Sequence, residues 1–349
     1  MLPNQTKAAV LFETKGYLEV CTIDLPKLQR GQILVKVLYS GVCRSQLMEI
    51  NGQRGKDAWL PHLLGHEGCG EVIAIGQDVT KVEIGDVVIL GWIKGEGIDA
   101  APAVYEYEGQ KINSGRVTTF SNHTIISENR TVKLPKGVPM DVGVLFGCAL
   151  LTGAGIVFNE LQPKQNDTVA VIGLGGIGLS ALMALTHQKV KNIIAIDKDN
   201  SRLELATKFG ASHAINSHNV DVTEWVLQNF PGGLDYCVEA AGQVATIELG
   251  FSLIKKEGGL LIFASHPPEN QMISLRPHDL ISGKKIQGSW GGGCCPDEDI
   301  PKLSDAYLID RMPLNELLNS RYTLDQINDA VADLETGKAF RPLIVMEHN

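Results

Sequence analysis

Residues 168–178 read TVAVIGLGGIG and carry the strongest structural signal in this chain of 349 residues. The run Thr168–Ile172 is rich in β-branched residues, which is typical of a buried strand in a parallel sheet. Glycines follow immediately, and residues 179–188 favour a helix. The order of strand, tight turn and helix predicts the first unit of a doubly wound parallel sheet.

The glycines of this turn have separate physical roles. Gly173 allows the tight turn, Gly175 lets a pyrophosphate approach the backbone, and Gly178 lets the helix pack on the strand. The N-terminus of that helix would face the phosphates. We therefore predict a dinucleotide site, whose contacts in this turn are Gly173, Gly175, Gly176, Ile177 and Gly178.

The acid at position 197 predicts which dinucleotide binds. Asp197 follows a second predicted strand, residues 192–196, and lies 19 residues after Gly178, where the partner of a ribose 2′-hydroxyl is expected. Its charge would repel a 2′-phosphate, so the sequence favours NAD over NADP. Lys198 and Arg202 are cations close to this position, and Arg202 is a further candidate cofactor contact.

A second group of residues, upstream of this turn, has the chemistry of a metal site. Cys43, His66 and Cys148 offer two sulfurs and one nitrogen, which are ligand types that zinc prefers. Catalytic zinc sites keep three protein ligands and one open position. Isolated buried cysteines and histidines are more often structural. The dinucleotide motif downstream nevertheless favours the interpretation of these three residues as zinc ligands.

These motifs together resemble those of the zinc-dependent alcohol dehydrogenases of the medium-chain dehydrogenase/reductase superfamily. The segments that carry the resemblance, besides 173–178, are GVCRS at 41–45, GHE at 65–67, GC at 147–148, GKKIQG at 283–288 and GKAFR at 337–341. The resemblance implies an α/β fold that combines a Rossmann doubly wound parallel sheet with a β-rich GroES-like catalytic domain. The implied boundaries are 150–290 for the NAD-binding domain, and 1–149 with 291–349 for the catalytic domain.

The resemblance also implies a role for individual residues. Cys43, His66 and Cys148 correspond to the ligands of the catalytic zinc, and Glu67 to a carboxylate behind the metal that can exchange onto it. Ser45 corresponds to the hydroxyl that hydrogen-bonds the substrate oxygen. The planar guanidinium groups of two further residues suit phosphate oxygens and correspond to contacts with the cofactor pyrophosphate. These two residues are Arg44 and Arg341.

The chain departs from the family pattern at three places. Many members carry four closely spaced cysteines that bind a structural zinc, but residues 92–120 contain no cysteine, so we expect one catalytic zinc and no structural site. Gln46 stands where the family usually has an aspartate that orients the zinc-binding histidine. Met48 stands at the position of a proton-relay histidine and cannot transfer a proton. His266 is a candidate replacement, and a loop histidine held by a hydrogen bond is the alternative.

The predicted activity is hydride transfer between an alcohol and NAD, with the aldehyde or ketone reduced in reverse. Trp92 and Trp290 are the candidate substrate-pocket residues, and two indoles would favour a primary or aromatic alcohol. The alternatives are a polyol, cyclitol or natural-product pathway dehydrogenase of the same superfamily, and a non-catalytic nucleotide-binding or structural protein. Retention of all three zinc ligands disfavours the last.

Composition narrows the expected partners and compartment. The net charge is −9 and there is no long basic run, so we expect a small-molecule alcohol or aldehyde substrate and neither nucleic acid nor a membrane as partner. The seven cysteines do not form a disulfide framework, and residues 1–7 lack the apolar core of a signal peptide. These features favour a cytoplasmic enzyme, which we expect to be a homodimer or homotetramer.

Overall fold

The computed structural model describes residues 2–310 and 312–348, and these form two compact units. The first unit contains residues 2–148, 295–309 and 313–348, and the second contains residues 149–294 with residues 310 and 312. The predicted α/β fold is confirmed, because one unit is built on antiparallel and mixed sheets and the other on a parallel sheet. The boundaries inferred for the functional domains stay a prediction.

Strands and helices are numbered in chain order. The strands are β1 Gln5–Leu11, β2 Glu19–Asp24, β3 Gln32–Gly41, β4 His62–Leu63, β5 Glu67–Ile75, β6 Val87–Gly91, β7 Val104–Tyr107, β8 Gln110–Asn113, β9 His123–Ser127, β10 Thr131–Lys133, β11 Thr168–Ile172, β12 Asn192–Asp197, β13 His213–Asn216, β14 Tyr236–Glu239, β15 Leu260–Phe263, β16 Lys285–Gly288, β17 Arg321–Thr323 and β18 Leu343–Val345. The helices are α1 Arg44–Ile50, α2 Met140–Gly143, α3 Ala149–Gly155, α4 Gly176–His187, α5 Asn200–Lys208, α6 Val222–Asn229, α7 Val244–Leu253, α8 Pro277–Ile281, α9 Pro296–Asp310 and α10 Ile327–Glu335.

The first unit brings distant segments together through its sheets. A closed barrel has the strand order β1-β2-β7-β8-β4, and a second sheet has the order β10-β6-β5-β3-β18-β17 with β9 also paired to β3. The pairing of β18 with β3 sets Leu343 opposite Gly41. The chain just before β18 therefore lies beside the chain just after β3, where Cys43 is located.

The barrel includes part of the cysteine-free stretch 92–120. Within it, residues 104–113 form the hairpin β7–β8. Tyr105 on β7 is 1% exposed, and its hydroxyl accepts a hydrogen bond of 2.8 Å from the backbone N–H of Ile125. Apolar burial and backbone pairing thus hold this stretch together.

The second unit is a six-stranded parallel sheet with the order β13-β12-β11-β14-β15-β16. Its core is aliphatic and includes Ile172, Ile194 and Leu261. Strand β11 is buried at every position, as its β-branched run predicts. The prediction of a strand followed by a glycine turn and a helix is confirmed at β11 and α4.

The uncharged stretch 142–158 is broken near its start and does not form one continuous helix. Helix α2 passes into a 3-10 turn, Val144–Gly147, and the backbone leaves helical geometry at Cys148, with φ −150° and ψ −73°. A new helix, α3, begins at Ala149. The break leaves Cys148 outside both helices. The direction of its side chain is therefore not set by a helical repeat.

Within the described residues, no single helix is long and apolar enough to cross a membrane. One broken pair, Met140–Gly147 with Ala149–Leu161, meets the length and composition criteria only when its two parts are taken together.

Candidate metal centre and nucleotide turn

The three predicted zinc ligands meet at one point of the first unit. The Sγ atoms of Cys43 and Cys148 and a ring nitrogen of His66 all lie within 4.8 Å of one another. The Nε2 atom of His66 is 3.2 Å from the Cys148 Sγ atom. Zinc–ligand bonds of about 2.0–2.3 Å place two ligand atoms at most about 4.6 Å apart, so these side chains need at most a small adjustment to hold one ion. Across residues 2–310 and 312–348, this is the one cluster of three or more potential ligands of this kind.

Glycines beside the ligands allow the backbone to pack this closely. Gly65 precedes His66 with φ +90°, and a Cβ atom there would lie 2.4 Å from the Thr119 Oγ1 atom. A Cβ atom on Gly147, which precedes Cys148, would lie 2.3 Å from the Leu90 carbonyl oxygen. Any larger residue at either position would therefore displace a ligand.

The electrostatics of the cluster favour a thiolate at Cys43. A hydrogen bond with the Cys148 thiol is the main reason that the pKa of Cys43 lies well below its usual value, and the nearby Arg341 and His66 lower it further against the opposing effect of burial. The same hydrogen bond raises the pKa of Cys148, which retains the proton. A metal ion would replace that proton, because zinc binds cysteine as the thiolate.

Glu67 lies behind the cluster and is paired with Arg341. The Glu67 Oε2 atom accepts a hydrogen bond of 2.8 Å from the Arg341 Nη2 atom, and the two side chains are 0% and 4% exposed. Burial raises the pKa of Glu67, and Arg341 opposes that effect. Glu67 is not part of the three-residue ligand cluster. Its other oxygen, Oε1, has no hydrogen-bond partner among the described residues.

The position of Arg341 in the structure could not be inferred from the residues around it in the sequence. The resemblance assigns it to a pyrophosphate, yet the guanidinium is buried in the first unit against Glu67. It reaches that place because the backbone N–H of Val42 bonds the carbonyl of Pro342, at 3.1 Å, next to the β3–β18 pairing. The contact of Arg341 with a cofactor stays a prediction, as does that of the exposed Arg44 at the start of α1.

Helix α1 supplies the residues around His66. The Ser45 Oγ atom is 3.3 Å from the Nδ1 atom of His66, and the Gln46 Nε2 atom is 2.5 Å from the same nitrogen. Gln46 is 1% exposed, and its Oε1 atom accepts a hydrogen bond of 2.9 Å from the Cys43 backbone N–H. Met48 is also buried, and its thioether has no proton to transfer.

A cavity of about 780 Å³ opens beside His66 and Gln46. Its lining includes the indole of Trp59, which is 70% exposed, and three cationic side chains. These cations are Arg54, Lys56 and Arg116. This wall was not predicted, because a tryptophan in a turn-rich stretch gives no local sign that it lines a cavity.

A partly buried pair, Asp57 and His62, fixes the loop that carries Trp59. The carboxylate of Asp57 accepts a hydrogen bond of 2.9 Å from the Trp59 backbone N–H and lies 2.7 Å from the Nε2 atom of His62. The Nδ1 atom of His62 is 3.0 Å from the Leu63 carbonyl oxygen. The loop is therefore tied to strand β4, which leads directly to His66.

The turn between β11 and α4 in the second unit has the shape that a dinucleotide requires. Gly173 has φ +85°, and a Cβ atom on Gly178 would lie 1.9 Å from the Gly173 carbonyl oxygen. A Cβ atom on Gly175 would meet nothing within 4 Å, which leaves space for a ligand to approach the backbone. The Asp197 Oδ2 atom accepts a hydrogen bond of 2.7 Å from the Leu174 N–H, so the acid lies against the turn.

The positions of the remaining predicted site residues do not test the roles that were predicted for them. Arg202 lies 3.9 Å from the Asp199 carboxylate, and His266 is exposed with its Nδ1 atom 3.2 Å from the Pro267 carbonyl oxygen. Trp92 is half-buried just after β6, whereas Trp290 is 80% exposed. Neither Trp92 nor Trp290 lines the cavity that contains Trp59. Their roles stay predictions.

Comparison with known proteins decides the family. The model of the alcohol dehydrogenase GroES-like domain matches residues 29–136, and the zinc-binding dehydrogenase model matches residues 176–308. The chain belongs to the zinc-dependent alcohol dehydrogenases of the medium-chain dehydrogenase/reductase superfamily. This dehydrogenase is accordingly an NAD-dependent zinc enzyme, and its Cys-His-Cys cluster is a group of side chains that could hold a metal ion.

Several relatives cover this dehydrogenase almost end to end. An alcohol dehydrogenase class-3 from Caenorhabditis elegans is 29% identical, over 98% of this chain and 97% of its own length. An S-(hydroxymethyl)glutathione dehydrogenase from Synechocystis is 28% identical, over 97% and 99% of the two chains. The crystal structure of a benzyl alcohol dehydrogenase from Acinetobacter calcoaceticus is 30% identical, covers 98% and 99%, and superposes with a TM-score of 0.89.

Proposed function

We propose that this dehydrogenase oxidises a primary alcohol with an aromatic or similarly large apolar group, and reduces the aldehyde in reverse. The observation that carries the proposal is the cavity of about 780 Å³ beside His66, with the Trp59 indole in its wall. An indole contributes large apolar contact area and favours ring stacking. The likeness to a benzyl alcohol dehydrogenase supports the same substrate class.

The proposed chemistry distributes the work among residues of the first unit. Cys43, His66 and Cys148 would hold one zinc, which supplies Lewis acidity to the substrate oxygen when bound. Ser45 would orient that oxygen and move its proton, since its hydroxyl lies beside His66. Because Met48 is buried and has no ionisable group, the proton must reach solvent by another route, for which His266 stays a candidate.

The second unit would hold the NAD that accepts the hydride. The open space above Gly175 and the N-terminus of α4 suit a pyrophosphate. Asp197 lies against the turn, where its carboxylate suits a ribose hydroxyl. Gly176 and Ile177 supply the first backbone N–H groups of the helix.

The substrate proposal is tested by comparing kcat/KM for benzyl alcohol, ethanol and sorbitol. We expect benzyl alcohol to be used most efficiently. Replacing Trp59 by leucine should lower kcat/KM for benzyl alcohol by about two- to tenfold, as expected for an aromatic contact of about 0.5–1.5 kcal/mol. The matched control is Tyr17→Leu, because Tyr17 is an aromatic side chain 83% exposed and outside the cavity. Greater efficiency with sorbitol would favour the polyol or cyclitol alternative.

A second candidate substrate is S-(hydroxymethyl)glutathione, which relatives of this chain are named for. The cavity favours it through its cations, because glutathione carries carboxylates. Arg54 is ion-paired with Glu49, and Arg116 lies 3.1 Å from Asp99. Lys56 has no ion pair among the described residues. The same assay separates the two candidates, since S-(hydroxymethyl)glutathione should be the poorer substrate if the aromatic proposal holds.

Cofactor choice gives an independent prediction. Changing Asp197 to asparagine keeps the side-chain volume but removes the charge, so the preference for NAD over NADP in kcat/KM should fall at least about tenfold. Asp199→Asn is the control, because asparagine caps a helix as well as aspartate and the change removes the same charge two residues away. A wild-type enzyme that uses NADP more efficiently would overturn the role given to Asp197.

We also propose a homodimer or homotetramer and a reducing compartment such as the cytoplasm. Strand β16 is an outer strand of the parallel sheet, and Ile281 and Trp290 near it are 85% and 80% exposed. An exposed strand edge with apolar neighbours favours pairing with a second copy. All seven cysteines are free thiols, which suits a reducing environment. Alcohols and aldehydes, rather than nucleic acid or membrane, remain the proposed partners.

A further inference from the structure

The orientation of the Gln46 side-chain amide is fixed by the backbone. The Cys43 N–H can only donate a hydrogen bond, and the Gln46 Oε1 atom accepts it at 2.9 Å. The amide oxygen must therefore face Cys43, and the amino group must face the other way. The amino group lies 2.5 Å from the Nδ1 atom of His66. Gln46 is 1% exposed, so water cannot easily relieve a mismatch there.

This orientation conflicts with a metal on the opposite nitrogen of His66. The Nε2 atom faces the cysteine ligands, 3.2 Å from the Cys148 Sγ atom. A neutral imidazole that binds zinc through Nε2 carries its proton on Nδ1 and needs an acceptor for it. The Gln46 amino group is a second donor and cannot accept that proton. An aspartate at this position, as the family pattern has, would accept it.

Ser45 offers the missing acceptor. Its Oγ atom lies 3.3 Å from the same Nδ1 atom, and a hydroxyl has two lone pairs. Ser45 and Gln46 are the two side chains that contact Nδ1 among the described residues. We propose that Ser45 is the hydrogen-bond acceptor that positions His66 in the zinc-loaded enzyme, and that Gln46 weakens zinc binding relative to a carboxylate. This inference rests on the assignment of zinc to Cys43, His66 and Cys148.

This role of Ser45, as acceptor of the His66 Nδ1 proton, differs from the role that the family resemblance implies, which is a hydrogen bond to the substrate oxygen. Accepting the Nδ1 proton occupies one lone pair of the hydroxyl and leaves its own proton and the other lone pair available. Ser45 would thus link the metal-bound imidazole to the substrate oxygen. Loss of its hydroxyl should weaken zinc binding even when no alcohol or NAD is present.

The test measures zinc affinity by competition with a chromogenic chelator, without substrate or cofactor. Ser45→Ala should weaken zinc binding about tenfold, at the low end of the 10- to 100-fold effect typical of residues that orient a metal ligand. Ser45→Thr keeps the hydroxyl and should retain the wild-type affinity. Gln46→Glu should tighten binding, because a carboxylate can accept from both the Cys43 N–H and the Nδ1 proton. Thermal unfolding of the metal-free variants checks that each one folds.

The decisive result is the coupling between the two positions. A carboxylate at position 46 also attracts the cation directly, so tighter binding by Gln46→Glu alone is a weaker result. With Gln46→Glu present, Ser45→Ala should cost less than about threefold, since the carboxylate then accepts the proton. Equal costs in both backgrounds, or no cost in either, would overturn the role of Ser45. A wild-type chain that binds no zinc would instead overturn the zinc site itself.

Discussion

Replacing Cys148 by alanine is expected to release the zinc and reduce alcohol oxidation by at least about 10³-fold. The thiolate is one of only two sulfur ligands in the cluster, and the remaining Cys43 and His66 cannot enclose the ion. Lewis acid stabilisation of a developing alkoxide is worth several kcal/mol, and about 1.4 kcal/mol corresponds to tenfold in rate. Elemental analysis and steady-state kinetics on the dialysed proteins measure both effects.

The matched control is Cys21→Ala. Cys21 lies on β2, half-buried and outside the ligand cluster, so this change should leave zinc content and turnover close to wild type. The wild type should contain about one zinc per chain, because residues 92–120 have no cysteine. Retained zinc and turnover in Cys148→Ala would refute the ligand assignment. Two zincs per wild-type chain would refute the single-site prediction.

Replacing Arg341 by methionine should destabilise the protein by about 3–5 kcal/mol, the usual cost of removing one partner of a buried ion pair. Glu67 is 0% exposed and its Oε2 atom bonds only this guanidinium, so the variant leaves a buried charge without compensation. The measurement is the free energy of unfolding from urea denaturation, with the unfolding of each unit followed separately where two transitions appear. Zinc affinity should also fall, because the Arg341 charge lowers the pKa of Cys43.

Two further variants make this prediction specific. The double change Glu67→Gln with Arg341→Met removes both charges and should recover most of the lost stability. Arg30→Met breaks the exposed pair with Asp78, whose side chains are 68% and 47% exposed, and should cost less than about 1 kcal/mol. If Arg341→Met is no more destabilising than Arg30→Met, the buried pair does not contribute as described.

The features that the sequence predicts well are those set by neighbours along the chain. The turn at Gly173 follows from a buried strand and a helix that flank it directly, so local pattern was sufficient. The ligands Cys43, His66 and Cys148 were named from their zinc-binding chemistry and from the family resemblance, because their approach depends on sheet pairing over long sequence distances that no local pattern shows. The resemblance supplied the residue identities, and the structure supplied their spacing.

The features that the sequence did not predict depend on sheet register and backbone geometry. The ion pair between Arg341 and Glu67 was not predicted, because nothing in residues 337–341 shows that β18 pairs with β3. The contact of Arg341 with a phosphate stays a prediction. The break at Cys148 also has no signal in the sequence, because hydropathy does not reveal the backbone conformation of a single residue. Trp59 was missed for a related reason, since its place in the cavity depends on a loop held by Asp57.

The β7–β8 hairpin gives this enzyme an uneven sensitivity to oxidation. A lobe held together by metal-bound cysteines would lose its support when an oxidant attacked those sulfurs. Here the corresponding stretch contains no sulfur ligand, and the Tyr105 hydroxyl and apolar burial secure it. Oxidation of the ligand thiols Cys43 and Cys148 should therefore release zinc without removing a support of the barrel. Damage of this kind stops turnover but leaves the barrel folded, so reduction and zinc resupply can restore the enzyme without refolding.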